Sequence, residues 1–323
     1  MKLTVRQIAR TAGVSPASVS RYFSGNEEVG ELTASRIEEA LSVLGGKAPE
    51  KKEAAKTILV LLTHLRFSFY SKTIQELLEQ EHSEYTFALL AYDPNAPETV
   101  HRFVSHMKPV GVIYFEEEID TEILKYFQDS HIRTVMCGGA ALDKNSDMVH
   151  VNDITAAYEG TKYLLDLGHR QILFLSDEVR KIGAGFQRIT GSRKAMEEYG
   201  LAISEEQVSY GEVTFEAGYS AVRNALRTRV QFTAVFAFSD ELAVGAMAAL
   251  YDEGLSVPEN VSVLGYDDLE IASKIRPALT TIHQPIDGFI NKTLELFQQP
   301  MQGPSAEIML KHSIVERNSC RSI

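Results

Sequence analysis

Residues 3–23, LTVRQIARTAGVSPASVSRYF, have the pattern of two short helices joined by a glycine turn. Thr4 and Gln7 have the spacing of a capping box, in which each side chain accepts a hydrogen bond from the backbone amide of the other residue. Gly13 permits the positive φ that ends a helix, and a serine followed by a proline just after it is typical of the next helix start. The stretch therefore predicts a helix-turn-helix unit.

The second predicted helix separates apolar positions from polar ones. Val14, Val19 and Phe23 can pack back on the first helix, so the opposite face points outward. Helix-turn-helix modules carry their base contacts on that outward face. Residues 1–26 contain four Lys or Arg and no Asp or Glu, in a chain of net charge -12, so this segment favours phosphate binding. The outward residues are Pro16, Ala17, Ser20 and Arg21.

The residues AGVS at 12–15 and VSR at 19–21 closely resemble the N-terminal helix-turn-helix of the LacI/GalR family of transcriptional regulators. In that family a third helix follows, here expected from about Val29 to Gly45. The resemblance implies double-stranded operator DNA with an inverted repeat as the partner, bound by a homodimer or a tetramer. The DNA-binding residues that it implies are Thr4, Ser15, Pro16, Ala17, Ser20, Arg21 and Asn26.

The composition is that of a globular protein with a small head and one or two larger domains. The chain has 323 residues, 44% of them hydrophobic and 24% charged. Its N-terminus lacks a signal-peptide pattern, and no apolar run approaches the roughly 20 residues of a membrane helix, so we expect a cytoplasmic protein that binds no membrane. Cys137 and Cys320 are too few and too far apart for a disulfide framework or a zinc site.

A polar segment follows the head. We assign residues 1–46 to the DNA-binding domain and 47–57 to a linker, which contains a Lys/Glu mixture and no large apolar residue. The family usually has an aromatic residue where Gly46 stands, and a linker leucine that wedges into the minor groove. No leucine lies between Leu44 and Leu59 here, so the sequence predicts a linker without that wedge.

From residue 58 onward, short apolar runs alternate with amphipathic stretches, as strands and helices do in parallel sheets. Examples are strands at Gly111–Phe115 and Ala234–Ala237 and helices at Glu98–Met107, Gly191–Tyr199 and Phe215–Arg227. The expected fold is a small all-α head joined to an α/β core of two doubly wound parallel-sheet lobes. The resemblance implies a periplasmic-binding-protein-like core in which the chain crosses between lobes three times. The expected lobes are 58–148 with 285–305, and 149–284 with 306–323.

Polar residues that directly follow the apolar runs are candidates for a ligand site, because open parallel sheets bind ligands beyond the carboxyl ends of their strands. Such residues, with aromatic rings that can lie on a C–H face, suit a sugar. The resemblance implies that Arg188 also binds the ligand. We expect this arginine and Asp267 to keep each other ionised and to hold a neutral hexose or hexose-containing oligosaccharide. The ligand-binding candidates are His64, Phe69, Tyr70, Asn152, Asp153, Arg188, Ser239 and Asp267.

The same polar residues can also serve as helix caps. Asp240 and Asp268 precede helix-like stretches and are candidates for that structural role. The glycines at 183 and 185 lack the third glycine of a dinucleotide site, and no nucleophile, metal-ligand set or phosphate loop accompanies the carboxylates. We therefore expect no catalytic residue, no metal and no cofactor.

The expected function is sequence-specific repression of a carbohydrate-utilisation operon, with operator affinity changed by a small sugar between the lobes. A galactose-type sugar is one candidate effector. Two alternatives share the core architecture: a sugar-binding protein without a DNA function, and a carbohydrate-active enzyme with acid-base carboxylates. The first would need a signal peptide and no basic head, and the second lacks the residues that complete a reaction.

Overall fold

The computed structural model describes residues 3–24, 29–45, 56–63, 65, 67–79, 84–115, 121–138, 146–177, 183–301 and 304–323. These residues form a helical head and an α/β core, which we describe separately. Most of the predicted linker, residues 47–55, lies outside the described ranges. Within those ranges, no helix is long and apolar enough to cross a membrane.

The head has the predicted local structure. The Thr4 and Gln7 side chains form the capping box of the first helix, and Gly13 ends it with φ 64°. The Ser15 hydroxyl accepts from the Ser18 amide at 3.0 Å and so caps the second helix. Gly45 ends the third helix with φ 56°. The three helices are α1 (Val5–Ala12), α2 (Pro16–Ser24) and α3 (Glu31–Leu44).

The helices of the head enclose a small apolar core. Ile8, Val19 and Ile37, one from each helix, are fully buried, and Phe23 is nearly so. Burial of each such side chain contributes about 1.5–3 kcal/mol, which holds the short helices together. Val19 and Phe23 face this core, as predicted.

The core alternates strands and helices. Its strands are β1 (Lys56–Leu62), β2 (Tyr85–Ala91), β3 (Gly111–Phe115), β4 (Arg133–Cys137), β5 (Asp147–Val151), β6 (Ile172–Asp177), β7 (Val208–Gly211), β8 (Ala234–Ala237), β9 (Ser262–Asp267), β10 (Thr280–His283), β11 (Glu307–Leu310) and β12 (Ser313–Val315). Its helices are α4 (Ser68–Glu79), α5 (Glu98–Met107), α6 (Thr121–Asp129), α7 (Asp153–Asp166), α8 (Ala184–Glu198), α9 (Phe215–Arg227), α10 (Asp240–Asp252), α11 (Glu270–Lys274) and α12 (Ile286–Gln298).

The strands form two six-stranded sheets, one in each lobe. Their orders are β11-β5-β4-β3-β1-β2 and β12-β10-β9-β8-β6-β7. β1 pairs in parallel with β3, and β6 with β8, whereas β12 pairs antiparallel with β10. Every residue of β3 and β8 is buried, because helices cover both faces of each sheet. Both lobes belong to one compact unit, Thr57–Glu81 with Phe87–Ile323.

The last crossing between the lobes differs from the expected boundaries. Glu307–Leu310 pairs in parallel with β5 in the first sheet, whereas the sequence assigned 306–323 to the second lobe. Only Ser313–Val315 joins the second sheet, and 149–151 belongs to the first. One extended segment thus contributes a strand to each sheet.

Helix α8 begins at Ala184, seven residues before the start that the sequence predicted at Gly191. A glycine is needed in its first turn, because a Cβ at Gly185 would lie 1.4 Å from the Asp177 Oδ1 atom. Gly183 and Gly185 lower the helix propensity here, so the sequence pattern did not indicate a helix start at this point. Arg188 therefore lies inside the helix rather than at its opening.

Candidate functional site

The outward face of α2 is the candidate DNA-reading surface. Pro16, Ala17, Ser20 and Arg21 are all exposed, as the sequence predicted. The Arg21 Nε atom donates to the Ala17 carbonyl at 3.4 Å, which holds the base of the side chain along the helix. These positions have the geometry of a recognition helix that can enter a major groove.

The other predicted DNA contacts have different surroundings. Thr4 and Ser15 are exposed, but both hydroxyls take part in caps, with Gln7 and Ser18 respectively. Each cap lies at a helix N-terminus, where backbone amides can also bind a phosphate. Asn26 lies outside the described residues.

A cavity between the two lobes is the candidate ligand site. The empty space between its walls, including the open mouth, is about 620 Å³. The residues that line it follow the carboxyl ends of strands or begin the helices after them. This is the location that the sequence predicted from the order of strands and polar residues.

The first lobe supplies a mostly aromatic wall, formed by Phe67, Phe69 and Tyr70. The Phe69 and Tyr70 rings meet edge to face, with centroids 5.9 Å apart. The Phe69 ring also packs against the Phe289 ring of α12, with centroids 5.4 Å apart, and this contact supports the wall from within the lobe. Rings in this arrangement can bury the C–H face of a sugar.

The second lobe supplies a polar wall. Its members carry carboxyl, guanidinium, hydroxyl and amide groups, which can donate to or accept from ligand hydroxyls. They are Asp177, Arg188, Ser239, Glu241, Asp267 and Gln284.

Arg188 is held by partners within its own lobe. Its Nε atom donates to Asp153 Oδ1 at 2.7 Å and its Nη1 atom to the Phe238 carbonyl at 2.5 Å. The guanidinium lies 3.7 Å above the centroid of the Tyr266 ring, and the Tyr266 hydroxyl donates to the same Asp153 oxygen at 2.8 Å. Burial lowers the pKa of Arg188, but the combined effects of Asp153, Tyr266 and Asp267 outweigh it, so the pKa lies well above its usual value. Arg188 therefore remains charged, as one half of a buried ion pair.

Asp267 ends β9 with φ 112°, and its side chain is 6% exposed. It accepts from the Gln284 amide at 2.7 Å. Burial raises the pKa of Asp267 to about 7, against the opposing effects of Arg188 and Gln284, and the Asp153 and Glu241 charges raise it further. The expectation that Arg188 and Asp267 keep each other ionised holds only in part: each charge favours ionisation of the other, but burial outweighs this effect at Asp267. Arg188 forms its ion pair with Asp153, and Asp267 is partly protonated near neutral pH.

The structure brings only some of the predicted ligand residues to the cavity. Phe69, Tyr70, Arg188, Ser239 and Asp267 line it. The Ser239 hydroxyl also accepts from the Leu242 amide at 3.2 Å and so caps α10. His64 lies outside the described residues.

Asn152 and Asp153 are not among the described residues that line the cavity. The Asn152 side chain accepts from the Thr155 amide at 3.0 Å and caps α7. Asp153 is buried behind the wall, where it positions Arg188. Asp153 therefore acts on the site through the arginine.

Asp240 and Asp268 are structural, but neither is the helix cap that the sequence suggested, because Ser239 is the N-cap of α10 and Leu269 is that of α11. Asp240 is fully buried and accepts from the Leu269 amide at 2.7 Å and the Thr281 hydroxyl at 2.6 Å. Asp268 forms an ion pair with Arg317 at 2.6 Å. Neither aspartate is among the described residues that line the cavity.

Four polar residues of the cavity were not predicted from the sequence: Ser68, Asp177, Glu241 and Gln284. Asp177 follows the apolar residues of β6 and Gln284 follows β10, so both obey the rule that selected the other candidates. Glu241 gave no such signal, because its role depends on the facing lobe. Its carboxylate accepts a hydrogen bond from the hydroxyl of Ser68, which begins α4 in the first lobe. This bond joins the two walls across the cavity.

Two families match this chain. Residues 4–45 match the family described as bacterial regulatory proteins, lacI family, and residues 161–320 match the family described as a periplasmic binding protein-like domain. Relatives include the HTH-type transcriptional repressor PurR of Vibrio campbellii, which is 30% identical with 99% of both chains covered. The ribose operon repressor of Escherichia coli is also 30% identical, with 98% of this chain and 99% of the relative covered.

Solved structures show the same fold. A complex of the transcriptional regulator CelR with cellobiose is 23% identical, covers 98% of this chain and 99% of its own, and has a TM-score of 0.73. A LacI family transcriptional regulator from Enterococcus faecium, solved with bound ribose, is 25% identical with a TM-score of 0.73. That alignment covers 83% of this chain and 100% of the other.

Proposed function

Because this chain belongs to the LacI family of bacterial regulatory proteins, we propose that it represses a carbohydrate-utilisation operon and that a small sugar between its two lobes changes its operator affinity. The protein is a DNA-binding transcriptional repressor, and its relatives are regulators of transcription rather than enzymes. The choice of a sugar effector rests mainly on one observation. The cavity places aromatic rings of the first lobe opposite hydrogen-bonding groups of the second.

Ligand chemistry supports this proposal. Phe69 and Tyr70 offer apolar faces, while Arg188, Ser239 and Asp267 offer donors and acceptors for neighbouring hydroxyls. The neighbour with bound ribose and the relative that represses a ribose operon favour a sugar as the ligand class. A galactose-type hexose remains one candidate beside ribose.

The two-walled cavity also supplies a mechanism. A ligand that touches both lobes binds their closed arrangement more tightly than an open one. That difference in binding free energy is what can alter DNA affinity, and linkage requires that DNA alter sugar affinity equally. We propose a homodimer, with a tetramer as the alternative, that binds an inverted-repeat operator through α2.

A substitution in α2 tests the DNA half of the proposal. Arg21→Ala should weaken binding to DNA that the parent protein selects from a random pool, measured by gel shift. A base contact should cost about 1–3 kcal/mol and relax sequence preference, whereas a phosphate contact should lower all affinities and the salt dependence together. Calorimetry should show unchanged sugar affinity.

Arg227→Ala is the matched control, because it removes the same charge from an exposed position on α9 in the second lobe. It should leave DNA affinity unchanged. If Arg21→Ala behaves like this control, Arg21 is not part of the DNA site.

Thermal-shift screening tests the sugar half. A ligand that binds only the folded state raises its melting temperature. A panel of pentoses, hexoses and disaccharides should contain at least one compound that does so and that also changes DNA affinity. A panel without such a compound would contradict the sugar proposal.

A further inference from the structure

Among the residues that the structure describes, the polar wall of the cavity has more carboxyl groups than cationic groups. Asp177, Glu241 and Asp267 all line it, and Arg188 is the one cation among the described lining residues. These three carboxyl groups come from separate elements of the second lobe: the ends of β6 and β9 and the first turn of α10. The fold therefore places them side by side at one edge of the sheet.

The charge of Arg188 is already balanced. Asp153 forms a 2.7 Å ion pair with it, and the two side chains are only 12% and 7% exposed. A buried pair of this kind presents little net charge to a ligand. Arg188 can still donate a hydrogen bond, and its charge offsets that of Asp267 only in part, because burial of Asp267 outweighs it.

The N-termini of α8 and α10, which could otherwise attract an anion to the cavity, already lie beside carboxylates of the protein. Asp177 lies against Gly185 in the first turn of α8, where any larger residue would collide with its carboxylate. Glu241 lies in the first turn of α10 and accepts from Ser68. The partial positive charge at each of these helix N-termini is thus already balanced by a carboxylate of the protein.

From this arrangement we infer that the effector of the cavity carries no negative charge, and that Asp177 and Glu241 exclude sugar phosphates and sugar acids. The inference rests on the proposed function and specifies its ligand class. Hydroxyl groups, or an amino group, can donate to these carboxylates, whereas a phosphate or carboxylate would add a further negative charge beside them.

Asp267 supports the same conclusion. Burial raises its pKa to about 7, and the nearby Glu241 and Asp153 charges oppose its ionisation as well. A wall that disfavours the charge of its own carboxyl group should disfavour the charge of an anionic ligand more strongly.

A thermal-shift panel arranged by charge tests the inference. The probes are glucose, glucosamine, glucuronate and glucose 6-phosphate, the matching galactose series, and ribose with ribose 5-phosphate. We expect stabilisation by at least one neutral or amino sugar and by none of its anionic forms. Stabilisation by an anionic form that equals or exceeds that of its neutral parent would overturn the inference but leave the sugar proposal intact. If no probe of any charge binds, the proposed function fails and the inference falls with it.

Variants of the two excluding residues test the mechanism of the exclusion. Asp177→Asn and Glu241→Gln should each lower the ratio of the affinity for the neutral sugar to the affinity for its anionic form. The expected change, measured by calorimetry, is on the order of tenfold per charge removed. Each variant keeps nearly the parent volume. Glu259→Gln, exposed in the same lobe and not a described lining residue, is the control and should leave the ratio unchanged.

The double variant Asp177→Asn with Glu241→Gln gives the strongest comparison. It should bind the anionic form of the preferred sugar measurably, with an unfolding temperature close to that of the control. If the folded double variant keeps the parent ratio of affinities, these carboxylates do not set the charge selectivity and the inference is wrong.

Discussion

The two walls of the cavity differ in what holds them and in what they offer a ligand. The first-lobe wall consists of neighbouring residues at the start of α4, and its rings Phe69 and Tyr70 pack on one another and on the lobe behind them. The second-lobe wall gathers Asp177, Arg188 and Asp267 from separate elements and holds them by ion pairs and hydrogen bonds. An aromatic wall accepts any apolar ring face, whereas a hydrogen-bonded wall accepts only a matching set of hydroxyls. We therefore expect the second lobe to decide which ligand binds.

The largest expected effect comes from removing one acceptor of the polar wall. Asp267→Asn keeps the side-chain volume, and asparagine tolerates the positive φ of this position. It converts an oxygen acceptor to a donor and should lower affinity for the preferred sugar about a hundredfold, since hydrogen bonds to charged groups contribute about 1.5–3 kcal/mol each. Calorimetry measures the affinity, and gel shift should show unchanged DNA binding without sugar.

Glu259→Gln again serves as the control for loss of one carboxylate. If Asp267→Asn binds sugar within a few-fold of the parent, Asp267 only shapes the turn after β9. The expectation that the second lobe decides which ligand binds would then lose its main support.

A pH dependence of stability should come next in size. The pKa of folded Asp267 is raised to about 7 from its usual 3.8, so the folded protein keeps this proton at pH values where the unfolded chain releases it. Its contribution to stability is therefore present below pH 4 and is lost as the pH rises to about 7. Asp267→Asn, which has no such proton, should gain stability relative to the parent between pH 5 and pH 8.

Urea unfolding of the ligand-free parent and variant at several pH values measures this gain, which should be at most a few kcal/mol. The difference between parent and variant isolates Asp267 from other titrating groups. A difference that does not change with pH would contradict the raised pKa.

The smallest effect should come from the aromatic wall. Phe69→Leu keeps an apolar side chain but removes the flat ring, and should weaken sugar binding about three- to tenfold, the value of an aromatic contact beyond its area. Calorimetry with the preferred sugar measures it. Phe127→Leu, in the buried face of α6 and outside the cavity lining, should cost similar stability without changing affinity.

A loss at Phe69 as large as that at Asp267 would show that the two walls contribute equally to binding. If Phe69→Leu lowers the affinity for a neutral sugar and for its amino form by the same factor, the ring does not contribute to charge selectivity. Both outcomes sharpen the comparison of the walls.

Local interactions made the head predictable from its sequence. The Thr4 and Gln7 capping box, the turn at Gly13 and the cap at Ser15 each involve residues at most five apart, so the pattern of residue types carries the geometry. The alternation of strands and helices in the core was predictable for the same reason, since apolar periods of two and 3.6 report the local backbone. Strand β3 and helices α5 and α9 have the predicted bounds.

Only the tertiary structure decided which of these elements meet and which side chains form pairs. Arg188 takes Asp153 rather than Asp267 as its partner, because helix α7 packs beside α8 while Asp267 turns toward Gln284. The sheet membership of β11 and the bond from Ser68 to Glu241 also join residues more than 150 positions apart. A carboxylate after a strand has the same local sequence whether it caps a helix, balances an arginine or faces a ligand. The sequence by itself thus determined the candidate recognition helix, the two lobes and the sheet edge where the candidate ligand site lies. Tertiary packing determined the charge of that edge, because the pairing of buried charges depends on distances that only the folded chain sets.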